Sequence, residues 1–167
     1  MNVLTYNICG SGSSIKRIRL RKNILAGKAD ICFIQETKNQ SMMDEVVNSL
    51  WGNKACGWST LDAIGQSGGI LIVWRDKVIC LTYNFKWTRF LGINAMWNGL
   101  NCYFVNVYSP CGVAEKCKLW SDLIEWKNKI PKGEWLTGGD FNAIKTLEER
   151  RGHGRVGGVL TFIKTTN

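Results

Sequence analysis

Apolar positions along this chain follow two rhythms, short continuous runs of strand length and stretches with helical spacing. Residues 3–6 form a short apolar run with Asn7 at its carboxyl end, which predicts a first strand. Residues 10–14 are a Gly/Ser loop, where Ser13 or Ser14 can cap a helix. Ile15, Ile18, Ile24 and Leu25 then recur at helical spacing, and Gly27 stands where a left-handed cap would end that helix. Residues 29–34 read as a buried strand, Asp30 aside, with Gln35, Glu36 and Thr37 at its end. Ser41-Met42-Met43-Asp44 has the form of a capping box, and Val46, Val47, Leu50 and Trp51 give the following helix an apolar face.

The middle of the chain changes character. Gly68-Gly69 opens the apolar run Ile70-Leu71-Ile72-Val73-Trp74, and Arg75-Asp76-Lys77 turns it. Residues 78–83 and 90–97 predict two more strands. Asn98-Gly99 then separates 90–97 from a run over 100–107 that Tyr108 ends, which is the strongest short-range hairpin signal. An antiparallel block therefore lies between two αβ segments. Ser109-Pro110 breaks the strand, and Val113, Cys117, Trp120, Leu123 and Ile124 mark a helix to about residue 128. Pro131-Lys132-Gly133 leads into Trp135-Leu136-Thr137-Gly138-Gly139-Asp140-Phe141-Asn142. The sequence is then polar and glycine-rich to Gly158, and residues 159–164 are expected to begin one more helix. With no internal repeat or linker, residues 1–167 read as a single domain.

Composition narrows the class. A chain of 167 residues with eight Trp and six Phe can bury a core, which excludes a disordered protein. No apolar run reaches membrane-spanning length, and the N-terminus lacks a signal-peptide layout. The seven Cys include no C-x-x-C pair, so zinc and redox motifs are not expected. Cys9, Cys32, Cys80 and Cys102 sit in apolar runs as small hydrophobes, which suits a reducing, intracellular setting. A net charge of +9 favours an anionic partner, most simply nucleic acid. Its densest cluster is Lys16, Arg17, Arg19, Arg21 and Lys22, which is either a solvated helix face or a nucleic-acid contact. Nothing in the composition indicates an oligomeric state.

Candidate chemistry gathers at strand ends. Residues two apart on a strand share a face, so Asp140 and Asn142 project together if the strand persists; an Asx turn closing the strand is the other reading. Four apolar runs end in Asn7, Glu36, Tyr108, and Asp140 with Asn142. Strands linked through helices tend to run parallel, so these ends can share one edge, where ligands of such sheets bind. Taken singly, Asn7 reads as a turn cap, Glu36 as a surface acid and Tyr108 as a rim residue. Taken together, Glu36 assisted by Asn7 suits the sparse ligand set of Mg²⁺, which acts as a Lewis acid on a phosphoryl oxygen. Asp140 could then orient water or protonate a leaving group, with Asn142 and Tyr108 donating to the phosphate.

Tyr6-Asn7, Phe33-Ile34-Gln35-Glu36-Thr37, Val107-Tyr108 and Gly139-Asp140-Phe141-Asn142 occur in the order found in the endonuclease/exonuclease/phosphatase superfamily, which the chain resembles. Residues 67–74, 138–142 and Glu148-Glu149-Arg150 are similar to the apurinic-like endonuclease domain of plant LINE-type (non-LTR) retrotransposons. The resemblance implies a four-layer α/β sandwich of two packed mixed sheets flanked by helices. It also implies Mg²⁺- or Mn²⁺-dependent phosphodiester hydrolysis, usually DNA nicking. Carried over, Glu36 is the metal ligand with Asn7 its neighbour, Tyr108 and Asn142 contact phosphate, and Asp140 takes part in proton transfer. With DNA as the partner, Lys16, Arg17, Arg19, Arg150 and Arg151 are the candidate contacts, and a nuclear location suits the role.

The superfamily also uses a late Asp and a terminal Asp-His pair. Here the one histidine, His153, lies eleven residues after Asn142 with no Asp before it, so it is read as a solvated loop residue. The expectation is a domain that is incomplete at its C-terminus, lacking final strands and with impaired hydrolysis. Two alternatives stand beside it. One is a catalytically dead relic that at most binds nucleic acid; the other is a phosphatase or phosphodiesterase acting on inositol phosphates or lipids.

Overall fold

The structure, a computed structural model, describes residues 1–52, 55–65 and 67–142, together with the backbone of 161–164. In chain order the elements are β1 (Asn2–Asn7), α1 (Ser14–Ala26), β2 (Ile31–Gln35), α2 (Asp44–Trp51), β3 (Cys56–Leu61), β4 (Ile70–Arg75), β5 (Cys80–Lys86), β6 (Phe90–Trp97), β7 (Leu100–Tyr108), α3 (Val113–Lys129), β8 (Glu134–Asp140) and β9 (Thr161–Lys164). They build two mixed sheets, ordered β3-β4-β2-β1-β9 and β5-β6-β7-β8. β1 and β2 run parallel, as do β7 and β8. The β6–β7 hairpin turns at Asn98 and Gly99, both at positive φ (48° and 77°), the backbone that the Asn-Gly signal requires.

Alternation sorts the strands into layers. Val3, Ile31, Phe33, Ile70, Ile72 and Trp74 of one sheet meet Leu91, Ile93, Ala95, Cys102 and Phe104 of the other. The opposite face of the first sheet, with Leu4, Cys32, Ile34, Leu71 and Val73, packs on Leu20 and Ile24 of α1 and on Val47, Leu50 and Trp51 of α2. The outer face of the second sheet, with Phe85, Tyr103, Val105 and Val107, packs on Leu119 and Leu123 of α3. Strands covered on both faces are continuous in apolar residues, which is why runs such as 70–74 showed no alternation. The four layers expected from the sequence are therefore present.

The inner face is not apolar to its end. Gln35 and Asn106 are 1% and 0% exposed. Gln35 Nε2 donates to Asn106 Oδ1 at 2.6 Å and to Thr5 Oγ1 at 3.1 Å. Asn106 Nδ2 donates to the carbonyls of Ile34 (3.1 Å) and Leu71 (3.0 Å), residues paired across β2 and β4. One side chain of the second sheet is thus tied to two strands of the first, and through Gln35 to a third.

Several sequence expectations are corrected. Residues 161–164 are not helical but a strand antiparallel to β1, since that edge offers unpaired backbone groups. Gly27 caps α1 in the right-handed region (φ −79°), and the left-handed residue is Lys28 (φ 48°). Ser13 stands at the N-cap of α1 without a side-chain cap bond, and Met43 rather than Ser41 precedes α2. Of the apolar spacing read in α1, only Ile24 is buried, joined by Leu20, while Ile15, Ile18 and Leu25 are exposed. In α3 the buried pair is Leu119 and Leu123, whereas Val113, Trp120 and Ile124 are exposed. The strand after Asp76 starts later than expected, and Cys80 lies exposed on edge strand β5. β3, with two glycine-like small positions and one buried residue, was not anticipated.

Asn106→Leu is expected to leave the Gln35 amide and two carbonyls short of a partner, at on the order of 1–3 kcal/mol for each group stranded. Urea unfolding checks this: the midpoint should fall sharply at unchanged slope, and a midpoint near wild type would show that the amide bridge contributes little.

Candidate active site

The inner rows of the strands continue past the amide bridge into the site. Row by row they read Val3-Thr5-Asn7 on β1 and Cys102-Phe104-Asn106-Tyr108 on β7. On β8 the row is Leu136-Gly138-Asp140, with Gly138 against the Phe33 ring. Polar ends of separate strands in both sheets therefore meet at one rim of the sandwich. Gly139 holds the last row in place: its φ is 145°, and a Cβ there would come within 2.0 Å of the Val107 carbonyl oxygen.

Glu36 breaks the parity. By alternation it belongs with Cys32 and Ile34, which face the helices. Its backbone instead adopts φ 52°, a conformation uncommon for a non-glycine residue. That turn brings the carboxylate back over the inner side, where Oε1 accepts from Tyr108 Oη at 3.0 Å and from Asn7 Nδ2 at 3.2 Å. Lys38 Nζ stands 3.8 Å from Oε2.

Asn7 is the hub. Its Nδ2 also donates to Asp140 Oδ2 at 2.8 Å, while its Oδ1 accepts the backbone N–H of Cys9 at 3.0 Å. A backbone N–H can only donate, so this bond fixes which way the amide points. The nitrogen faces the cleft and draws two carboxylates onto one donor. Asp140 Oδ1 in turn accepts the backbone N–H of Asn142 at 3.0 Å.

That last bond is an Asx turn, and it ends β8 at Asp140. Asn142 has φ 46° and so does not share a strand face with Asp140. Its Nδ2 donates to the Ser109 carbonyl at 2.5 Å, and its own carbonyl accepts from Lys116 Nζ at 2.6 Å. The turn and the site are the same structure.

With this geometry in hand, the model of the Endonuclease/Exonuclease/phosphatase family matches residues 4–166. The chain belongs to that family. Among solved structures it is similar to a humanized D. rerio TDP2 carrying 14 mutations, with 15% identity, a TM-score of 0.67, and 93% of this chain and 68% of that one covered. D. rerio TDP2 complexed with a single strand DNA product gives 16% identity and a TM-score of 0.66 over 87% of this chain and 62% of that one. An AP endonuclease from Archaeoglobus fulgidus gives 16% and 0.63 over 86% and 58%. This chain thus spans roughly three fifths to two thirds of their lengths. At these identities the likeness establishes the Endonuclease/Exonuclease/phosphatase fold. No curated protein sequence matches the chain.

Against that family background, Asn7, Glu36, Tyr108 and Asp140 form one hydrogen-bonded cluster, with Asn142 beside it. The basic helix behaves differently. Lys16 Nζ bonds the Cys9 carbonyl, Arg17 bonds the carbonyls of Ser11 and Gly12, and Arg21 bonds that of Gly52. Arg19 and Lys22 are exposed. Arg150, Arg151, His153 and Glu148-Glu149 lie outside the described residues. Sequence reasoning missed Cys9, Lys38, Lys116 and Ser109. Lys38 and Cys9 were within reach of the motifs, two residues past Glu36 and Asn7; Lys116 and Ser109 carry no signal, because contacts with the backbone of distant residues leave no spacing to read. Among the described residues no helix is long and apolar enough to cross a membrane.

Burial, then the hydrogen bond to Glu36 and its charge, pushes the Tyr108 phenol up to about 12. Burial and the Glu36 charge likewise push the Cys9 thiol up. Tyr108 therefore remains a donor throughout the neutral range. A phenol raised in the fold binds its proton more tightly folded than unfolded, so its contribution is full below about pH 10 and is lost as pH rises towards 12. Urea stability measured from pH 9 to 12 should fall more steeply for wild type than for Tyr108→Phe; parallel curves would rule out this linkage.

Proposed function

We propose that the chain is a divalent-metal-dependent phosphodiester hydrolase, most specifically a DNA-nicking endonuclease domain of retroelement type. The observation that carries it is the convergence of Asn7, Glu36, Tyr108 and Asp140, from four strands, on shared hydrogen bonds. The retroelement and plant assignment rests on the motif similarity of residues 67–74, 138–142 and Glu148-Glu149-Arg150 alone.

The donor set fits a hard cation. Two carboxylates held to one amide nitrogen repel each other and supply hard oxygen ligands, with the Cys9 thiol and the Lys38 ammonium also beside Glu36. Glu36, with Asp140 near it, would hold Mg²⁺ or Mn²⁺. Asn7 acts from this orientation as the donor that gathers the carboxylates; ligating a metal itself would require its amide to turn over. When bound, the cation supplies Lewis acidity at a phosphoryl oxygen.

The residues of the chain account for the remaining steps. Tyr108 Oη, protonated and aimed into the site, donates to a non-bridging oxygen as charge builds on it. Asn142 Nδ2 lies on the same rim and can exchange the Ser109 carbonyl for phosphate. Asp140, oriented by N–H donors on both oxygens, is the carboxylate placed to take a proton from the attacking water. The water oxygen bonds to phosphorus, the bond to the leaving sugar oxygen breaks, and that oxygen takes a proton from solvent. A phosphomonoester and an alcohol result.

Supercoiled plasmid nicking by the purified protein, with Mg²⁺ and with EDTA, tests this. Nicking should require the metal, disappear in Glu36→Gln, and fall by about 10²–10⁴-fold in Asp140→Asn. Full activity in either variant would refute the site. A folded protein that never nicks would favour the non-catalytic reading.

A further inference from the structure

Next to Tyr108 a groove of about 490 Å³ runs between the β3–β4 connection and the β5–β6 turn. That volume lies within the roughly 300–1,000 Å³ of sites that hold small ligands. Tyr108 lines its inner end, so the groove opens on the residue that contacts Glu36. The backbone N–H of Tyr108 donates to the Arg89 carbonyl at 3.0 Å, which ties the turn to the site. Lys86 and Arg89 supply two cations, and the acid in the wall, Asp62, accepts from Thr60 Oγ1 at 3.1 Å.

Two apolar side chains stand open at this groove. Ile64, at the tip of the β3–β4 connection, is 89% exposed, and Trp87 is 44% exposed. The indole is fixed in place: its Nε1 donates to Asp122 of α3 at 2.9 Å, and its ring meets Trp126 edge-on with centroids 6.3 Å apart. A held aromatic ring facing water in a groove with two cations, continuous with the tyrosine assigned above to phosphate, matches one ligand chemistry. A nucleobase has a flat apolar face, and its backbone carries the negative charge.

We propose that this groove seats one unpaired nucleotide flanking the scissile phosphate, its base against Trp87 and Ile64 and its phosphate near Arg89 and Lys86. The proposal rests on the phosphodiesterase reading and deepens it, because it makes the preferred substrate a single-stranded or locally unpaired strand. In a duplex both faces of each base are already stacked and cannot enter.

Anisotropy of a fluorescein-labelled oligonucleotide in EDTA, single-stranded and as a duplex, measures binding without cleavage. Wild type should prefer the single strand. Trp87→Leu should weaken single-strand binding by about 5- to 150-fold, as loss of one stacked base does, Ile64→Ser should weaken it by less, and both should leave duplex binding unchanged. Arg89→Gln should lower the salt slope of binding by about one. Ile64→Ser keeps the test open if Trp87→Leu does not fold, since Ile64 is almost fully exposed. Wild-type preference retained in Ile64→Ser, or in a folded Trp87→Leu, would overturn the proposal, and so would displacement by inorganic polyphosphate as readily as by oligonucleotide, which would show that only charge is read. A second readout separates the two proposals. Metal-dependent hydrolysis of a small nitrophenyl phosphodiester, lost in Glu36→Gln, tests the chemistry alone; if it is absent while the binding pattern holds, the hydrolase reading fails and the groove stands.

Discussion

The two sheets meet through an apolar layer that would let them slide, and one buried amide bridge stops them. Apolar contacts are non-directional, so the packing of Phe33 on Gly138 or of Ile72 on its neighbours constrains spacing more than register. The Gln35–Asn106 pair is directional. Its four hydrogen bonds reach Thr5, Ile34 and Leu71, so any slip of β7 along β2 strands several buried groups at once. Asn106 lies two residues before Tyr108 and Gln35 one before Glu36. The bridge therefore sets the height at which the tyrosine of one sheet meets the carboxylate of the other, with nothing flexible between.

Glu36 shows what that setting is for. A residue on a regular strand at that place would point its side chain at the helices. The positive φ at Glu36 turns it against its parity, a conformation that persists only where the surroundings fix it. Three of those surroundings are visible: Tyr108 and Asn7 donate to it, and Gln35 anchors the strand just before the turn. Strain at the carboxylate and polarity beneath it belong to one device, a pinned platform carrying a twisted end.

Much of this was legible in the sequence because strand ends are punctuated. Apolar runs gave the strands, and polar residues at their ends gave Asn7, Glu36, Tyr108 and Asp140. What could not be read was anything that depends on which face a residue takes. The helix α1 shows this: Ile15, Ile18 and Leu25 fit a helical period yet stay exposed, since Leu20 and Ile24 are the residues that reach the sheet. For Asn142 the sequence left two readings, a shared strand face or an Asx turn, and the turn is the one formed. The strand at 161–164 looked helical by composition because pairing with β1, a long-range event, decides it. Asn106 is a polar residue inside an apolar run and Gln35 one at the end of another, and without the facing sheet neither announces a partner.

The charge of the chain deserves the same separation of pattern from place. A cluster of five cations on α1 suggests a surface waiting for an anion. Three of its members instead hold backbone carbonyls: Lys16 and Arg17 clasp the 9–12 loop that follows Asn7, and Arg21 reaches Gly52 behind α2. The loop they clasp includes Cys9, whose N–H decides which way the Asn7 amide faces. Positive charge here acts first on the protein, by fixing the hub of the site. Lys38 beside Glu36 and Lys116 beside Asn142 stand instead at the cleft itself, each with a contact to a residue of the site. A count of charges along the sequence cannot distinguish these two uses, because the difference lies in which carbonyl or carboxylate each side chain reaches.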